Sequence, residues 1–340
     1  MMKWIKALAI ILIVGACEPR PQTITIDGKT MGTSYRVVIV SRDGGHDQQA
    51  LREVVEDVLA QVNATFSNWD PQSEVSRINA DRTGDAIALS ADMIELFGQA
   101  QIVHSRTAGK FDVTLGPLIE LWGFGAPGPG ADVPSNEAIE DALTHVGQKR
   151  QLLIDPAAGT LQKRHPETTI YLAAIAKGTG IDKVSQTLID LGFDNFMVEI
   201  GGDLYAIGDG TAGQGWRIGI EEPDVDMRKV ERIVAVSGRG MATSGDYRNY
   251  FEEDGIRYSH IIDADTGRPV VHSTASVTVL AENAALADAW ATALLVLGSK
   301  QGLAIAEDEQ LAAFFIDRSD NGFERAESSA FAALVGATED

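Results

Sequence analysis

The chain has 340 residues, 44% of them hydrophobic, and a formal net charge of −21. That is enough for one large core or two modest ones, and so acidic a chain would be repelled by a phosphate backbone, which excludes a nucleic-acid binder. Cys17 is the only cysteine, so an internal disulfide and a thiolate zinc site are excluded as well.

At the N-terminus, Lys3 and Lys6 precede an apolar run from Ala7 to Ala16. About ten residues is too short to cross a bilayer but suits the core of a signal peptide. "VGAC" closes the run with small residues before Cys17. The pattern reads as a bacterial lipobox: a signal peptide over 1–16, lipid on the sulfur of Cys17, and a tether over 17–23. Ordinary cleavage with Cys17 incidental is the alternative. A lipid would anchor the chain to a membrane without a spanning helix. The folded domain is expected over 24–330.

"TITIDGKTMGTSYRVVIV" alternates around Asp27-Gly28, which predicts a β-hairpin. In "DQQALREVVEDVLAQVNATFSNW", Leu51, Val54, Val55, Val58, Leu59, Val62 and Phe66 recur at helical spacing, predicting an amphipathic helix. A second helix starts at Ser90, a good N-cap, and ends near Gly109. A third covers 134–147, with Ile139, Ala142, Leu143 and Val146 on one face. A fourth opens near Lys177 and closes at Gly192, with Ile181, Val184, Leu188 and Leu191 as its apolar face. From 193 onward, strand-like runs are separated by Gly, Asp and Pro. "NAALADAWATALLVLG" (283–298) is apolar nearly all round and predicts a buried helix. Antiparallel meanders with helices grouped between them argue for an α+β fold.

Several stretches carry candidate chemistry. "GDGTAG" (208–213) matches G-x-G-x-x-G, but a strand-like run follows where a dinucleotide turn needs a helix, so it reads as a hairpin loop. Asp288 and Thr292 lie four apart on one face of the apolar helix. A buried carboxylate must be paired or bound to a metal, and a carboxylate with a hydroxyl suits Mg²⁺; a helix-to-sheet hydrogen bond is the other reading. Lys177 and Gly178 open a helix, where an anion is favoured, or where a lysine is simply solvated. Phe111, Trp122 and Phe124 sit in a Gly-rich stretch that could take a flat ring or merely pack. Thr243, Ser244, Asp246 and His260 could be read as a hydrolase set, but no G-x-S-x-G elbow exists.

Taken in order, "MGTSY" (31–35), "NWDPQSEVSRIN" (68–79), "FDVTLGPLIELWGFG", "AIAKGTGID", "EIGGDLYAIG", "ATSGDYRNY", "YSHIIDADTGRP" and "SVTVLAENAALADAWATALLVLG" resemble the ApbE family of FAD:protein FMN transferases. The resemblance spans roughly residues 24–317. It implies an ApbE-like, T-fold-like arrangement of antiparallel sheets with packed helices. It also implies transfer of FMN from FAD to a Thr or Ser hydroxyl of a target protein, with Mg²⁺ as cofactor and AMP released. Carried over by motif, Met31, Trp69, Phe111, Asp112, Val113, Lys177, Thr243 and Ile262 would line the cofactor. The Ala174 carbonyl, Asp288 and Thr292 would hold the metal, and His260 or Asp246 would be the general base. One position departs from the family: Tyr171 stands where members carry an acid, and Ala173 where they carry a glycine, so cofactor affinity or orientation is expected to differ.

The resemblance further implies a lipid-anchored protein on the periplasmic side of the bacterial inner membrane. Its targets would be periplasmic flavoproteins, such as subunits of Na⁺-translocating NADH:quinone reductase or related electron-transport complexes. Two rival readings share the site. One is a Mg²⁺-dependent FAD pyrophosphatase whose acceptor is water. The other, motivated by Tyr171, is a non-catalytic FAD-binding lipoprotein.

Overall fold

The computed structural model describes residues 22–125, 132–224, 229–247 and 249–336. The expected signal peptide, Cys17 and most of the tether lie outside the described residues, as does Arg248. Strands β1 (Gln22–Thr30) and β2 (Thr33–Ser41) pair antiparallel from Gln22↔Ser41 to Thr30↔Thr33. Gln22 and Thr23, expected at the end of the tether, are therefore already strand.

The hairpin turn is Met31-Gly32 and not Asp27-Gly28. Met31 and Gly32 have φ of 50° and 75°, the left-handed pair that a two-residue turn requires. Gly28 lies inside β1 opposite Tyr35, whose ring occupies the space a Cβ would need. That glycine serves close approach, which the sequence pattern does not distinguish from a turn.

Helix α1 (Gln48–Phe66) is capped by Asp47, which accepts from the backbone N–H groups of Gln49 and Ala50. It buries Leu51, Val55, Leu59, Val62 and Phe66. Then come α2 (Glu74–Ala80), β3 (Ile87–Ala88) and α3 (Ala91–Arg106), the last capped by Ser90 as expected. Next are α4 (Gly116–Leu121), α5 (Asn136–Thr144) and α6 (Gln148–Gln151). Strands β4 (Leu152–Asp155) and β5 (Thr160–Lys163) complete a small sheet with β3. Helix α7 (Ala176–Asp190) buries Ile181, Val184 and Leu188, while Leu191 beyond its end stays exposed.

Strands β6 (Phe196–Ile200) and β7 (Asp203–Ile207) form a hairpin. Strands β8 (Trp216–Glu221) and β9 (Val230–Val236) form a separate ribbon. The 208–213 loop thus joins β7 to β8 across two sheets, and the hairpin-loop expectation is corrected: each strand pairs elsewhere. After β10 (Arg239–Gly245) come the hairpin β11 (Tyr250–Glu253) and β12 (Ile256–Ser259), and the short ladder β13 (Ile262–Asp263) and β14 (Arg268–Pro269). The chain ends with β15 (Thr274–Ala281), α8 (Ala284–Asp308), β16 (Ala312–Ser319), β17 (Gly322–Glu327) and α9 (Ser329–Gly336). The main antiparallel sheet runs β1-β2-β6-β7-β10-β15-β16-β17. Helices α1, α7 and α8 cover one face. The ribbon and α9 cover the other, where Leu204, Met241 and Phe314 meet Trp216, Val234 and Phe331.

Helix α8 is two helices end to end, broken at Gly298 (φ 73°, ψ 166°). The first half is the buried helix that the sequence predicts. The second half is missed by the periodicity argument, because Gly302 interrupts it and lowers its helical propensity; that glycine lets the Phe315 ring approach at 2.9 Å from where a Cβ would stand.

The first half of α8 lies on β10 and β15 and against α7 and α3. Its N-terminus is held by three hydrogen bonds to two side chains. Asn283 caps Leu286 N at 2.8 Å, and Asp182 accepts from Ala284 N and Ala285 N at 2.8 and 2.9 Å. Burial pushes the Asp182 carboxyl up to about 6, against the pull of those two N–H groups. Gly178 on α7 and Gly240 on β10 flank the same turn, and a Cβ on either would collide with Ala284 backbone. Gly240→Ala should therefore cost ~1–3 kcal/mol by overpacking. The midpoint of urea unfolding should fall with its slope unchanged; an unchanged midpoint would show that the approach is not tight.

Candidate active site

Asp288 is 2% exposed on a helix that is otherwise apolar, so its charge needs partners. Lys177 Nζ donates to Asp288 Oδ1 at 3.0 Å and to Asp203 Oδ2 at 2.5 Å. Gly178 N donates to Asp288 Oδ2 at 3.2 Å. Asp203, also buried, accepts from Thr243 N through Oδ1 at 3.0 Å. Three elements therefore meet on one ion cluster: the first turn of α7, the start of β7 and the first half of α8. Burial opposes the Lys177 charge, but Asp203 and Asp288 outweigh it and hold the ammonium above its ordinary pKa. Burial pushes Asp288 the other way, above the ordinary carboxylate range, with Lys177 opposing.

The same cluster assembles oxygen donors. Gly178 N would ordinarily bond to the carbonyl of Ala174 one turn back. It is diverted to Asp288, and among the described residues no hydrogen bond to the Ala174 carbonyl is made. Thr292, one turn beyond Asp288, shares a 2.9 Å hydrogen bond with Ser244 Oγ from β10. A carboxylate, a hydroxyl and a freed carbonyl are hard oxygen donors, and one anionic ligand suits a magnesium ion that keeps waters or substrate phosphates in its other positions. By donor chemistry these residues fit Mg²⁺.

Beyond the end of β10, Asp246 is gripped by Arg318 of β16, with Nη1–Oδ2 at 2.8 Å and Nη2–Oδ1 at 2.6 Å. His260 follows β12 and is half-buried. Its Nδ1 lies 3.0 Å from the Asn249 carbonyl. A carbonyl only accepts, so Nδ1 carries the proton and Nε2 keeps its lone pair. Burial lowers the His260 pKa below its ordinary 6.5. The Asn249 bond and the Asp246 charge act against this, and the Lys177 charge reinforces it.

The remaining residues picked out by the sequence are placed as follows. Trp69 is 54% exposed and meets Tyr171 edge to face, ring centroids 5.9 Å apart. Burial pushes the Tyr171 phenol up to about 12, so a neutral ring stands where the family carries an acid. Met31, at the hairpin tip, rests its thioether over Gly180 of α7. Phe111 and Val113 are buried in the core, and Ile262 in an aromatic cluster with Trp122 and Phe124. Asp112 is spent on the protein itself: Thr114 N and Gln148 N each donate to it at 2.7 Å. The side chain of Thr243 leaves the sheet on the face away from α8 and pairs with Thr278 at 2.8 Å; its neighbour Ser244 reaches Thr292.

Asp203 and Arg318 are the residues that motif reading did not assign. Asp203 had a usable signal, an acid opening an apolar strand after Gly-Gly. Arg318 had none, since its partner is 72 positions away.

Comparison with known proteins points to one family. The ApbE family profile matches residues 31–315. A relative from Vibrio cholerae, named FAD:protein FMN transferase, is 40% identical over 97% of this chain and 98% of its own. One of the same name from Haemophilus influenzae is 39% identical, with 98% of each chain covered. The solved flavin transferase ApbE from Vibrio cholerae superposes with a TM-score of 0.85 at 38% identity, covering 92% of this chain and 99% of its own. The apo flavinyl transferase ApbE from Pseudomonas stutzeri gives 0.85 at 40% identity, covering 93% and 98%.

The ion cluster makes a stability prediction. Lys177→Met leaves buried carboxylates without their counter-charge and should cost ~3–5 kcal/mol at neutral pH in metal-free buffer. In that variant Asp288, already raised, rises further. The deficit is then full above its folded pKa and shrinks as pH falls toward the ordinary carboxylate range. Urea titrations at pH 7.5 and pH 5 check this; a deficit that is equal at both, or larger at pH 5, contradicts the pairing.

Proposed function

The chain belongs to the ApbE family, and from that premise we propose how its own residues carry out the reaction. It is an enzyme, a flavin transferase that moves FMN from FAD onto protein. In our reading transfer is Mg²⁺-dependent, the acceptor is a Thr or Ser hydroxyl of the target, and AMP is released. The observation that carries this is the docking of the first turn of α7 on α8, where Lys177 and Gly178 N meet Asp288, with Thr292 one helical turn beyond and the Ala174 carbonyl making no hydrogen bond among the described residues. Asp288, Thr292 and the Ala174 carbonyl would hold Mg²⁺, which when bound supplies Lewis-acid charge to the pyrophosphate. Lys177, fixed by two carboxylates, adds a positioned cation.

His260 is the general base in this reading. Its Nε2 faces no competing donor from Asn249 and its neutral form is favoured by burial. It takes the proton of the acceptor hydroxyl as that oxygen bonds to the FMN phosphorus. The bond from phosphorus to the bridging oxygen breaks, and AMP leaves with the electron pair. Such positioned proton transfer is worth ~10²–10⁴-fold. Asp246 is a poor base, because both of its oxygens are held by Arg318; its charge instead favours the imidazolium formed during the step. Trp69 and Tyr171 offer an aromatic wall to the flavin ring.

We also propose lipidation at Cys17, anchoring on the periplasmic side of the inner membrane, and targets among periplasmic flavoproteins such as subunits of Na⁺-translocating NADH:quinone reductase. The apolar run and small residues before a lone cysteine support the first two.

Incubation with FAD, Mg²⁺ and a purified target domain should give a fluorescent band on a denaturing gel. FMN and AMP released at the same rate without any target would instead favour a hydrolase. Asp288→Ala should lower Mg²⁺-dependent labelling ~100-fold or more; full activity in that variant contradicts the metal assignment. The pH profile of kcat/KM should rise through an acid limb below 6.5, because the base must be neutral. Arg318→Met unmasks the Asp246 charge and should move the limb upward, and Asp246→Asn should move it downward. Limbs that stay put in both variants would remove His260 from the role.

A further inference from the structure

A second concavity lies on the opposite face of the main sheet from α8. Its floor is the ribbon-facing surface of β2, β6, β7 and β10, with Ser34, Glu199, Leu204 and Thr243 pointing into it, and its roof is β8. The cavity measures about 930 Å³, at the top of the range for a drug-sized ligand and long enough for an extended chain segment. Of the residues through which the flavin and metal are expected to bind it contains Thr243 alone, and it adjoins the ion cluster through Asp203. Asp203 stands at its edge, and its carboxylate, which leaves β7 on the face opposite Leu204, holds Lys177 at 2.5 Å. Gly201 and Gly202 form the rim between the two spaces, leaving the backbone bare of side chains.

Its charge selects what enters. Asp27 and Glu199 line it with carboxylates, and the one cation among its described lining residues, Arg36, is itself bonded to Asp27 at 2.6 Å. A pyrophosphate would be repelled from such a lining, whereas a peptide with neutral or basic side chains would not. Strand β8 pairs only with β9 among the described residues, so its outer edge offers main-chain groups to an added strand. In-line displacement also requires the acceptor to approach the phosphorus from the side opposite the departing AMP, by a path the dinucleotide does not fill.

We propose that this groove seats the acceptor segment of the target protein, in extended form along β8, and delivers its hydroxyl over the Gly201–Gly202 rim to the reacting phosphate. The proposal rests on the transferase reading above. Ser34 is exposed on the groove floor, and among the described residues its side chain makes no hydrogen bond, so Ser34→Trp fills the groove without removing a contact. Glu199→Gln removes a charge and keeps an oxygen for Gly202 N, which donates to Glu199 at 2.6 Å.

The test uses the full chain with FAD, Mg²⁺ and a purified flavin-carrying subunit domain of Na⁺-translocating NADH:quinone reductase. KM for the domain and the FAD dissociation constant are measured separately. Labelling of the domain by the unmutated chain reports on the transferase reading; the variants report on the groove. Ser34→Trp should raise KM for the domain ~10-fold or more and Glu199→Gln ~3-fold, as loss of interface contacts does, with FAD affinity unchanged in both. A KM unchanged in both variants overturns the proposal. FAD affinity that weakens in step with labelling also overturns it, because the groove would then hold the dinucleotide.

Discussion

The burial of Asp288 is the constraint from which the rest of the site follows. A carboxylate on a helix with no other charge in its buried half would be expensive to desolvate. Here it is met by an ammonium and a backbone N–H, both from the first turn of α7. Meeting it dictates that α7 begins where it does and approaches α8 closely enough for Gly178 to lack a side chain. It also diverts Gly178 N from its helical partner, which leaves the Ala174 carbonyl available. The second carboxylate on Lys177, Asp203, ties the same cluster to the sheet. A change at any one of these residues therefore acts on packing and on chemistry together.

The sheet supplies the second organising fact, its two faces. Along β10, Ser244 points toward α8 and Thr243 toward the ribbon, as strand alternation demands. The ion cluster and the groove therefore lie on opposite faces of one sheet, and Asp203, beside Gly201 and Gly202, belongs to both. That corner is where β6–β7 turns and β10 runs on past its partner, so backbone is exposed there without a side-chain barrier. A two-substrate enzyme benefits from such separation, because the anionic dinucleotide and the protein acceptor need surfaces of different charge.

Much of the fold was legible from local pattern. The cap Ser90, the apolar stripe of α1 and the largely apolar first half of α8 are short-range signals. The readings that needed correction involved glycine. Gly28 looked like a turn residue and is a close-approach residue under Tyr35, while the turn went to Met31-Gly32. The 208–213 loop is followed by a strand, as expected, but joins two sheets. In both cases the local chemistry is the same for either outcome, and distant strands decide between them.

The sequence by itself determined helices α1, α3, α5, α7 and the first half of α8, the strand-rich second half, the placing of Asp288 and Thr292 on one helical face and the motif order that marks the family. These depend on spacings of a few residues, or on residue types at quoted positions. Only the tertiary structure decided that Asp203 shares Lys177 with Asp288, that Arg318 occupies both oxygens of Asp246, and that Asp112 is spent on Gln148 N while Thr243 turns away from α8. Each is a contact between residues far apart in the chain, or a choice of sheet face set by register. A buried charge finds its partner through packing in three dimensions, and nothing in local spacing encodes which distant side chain that will be.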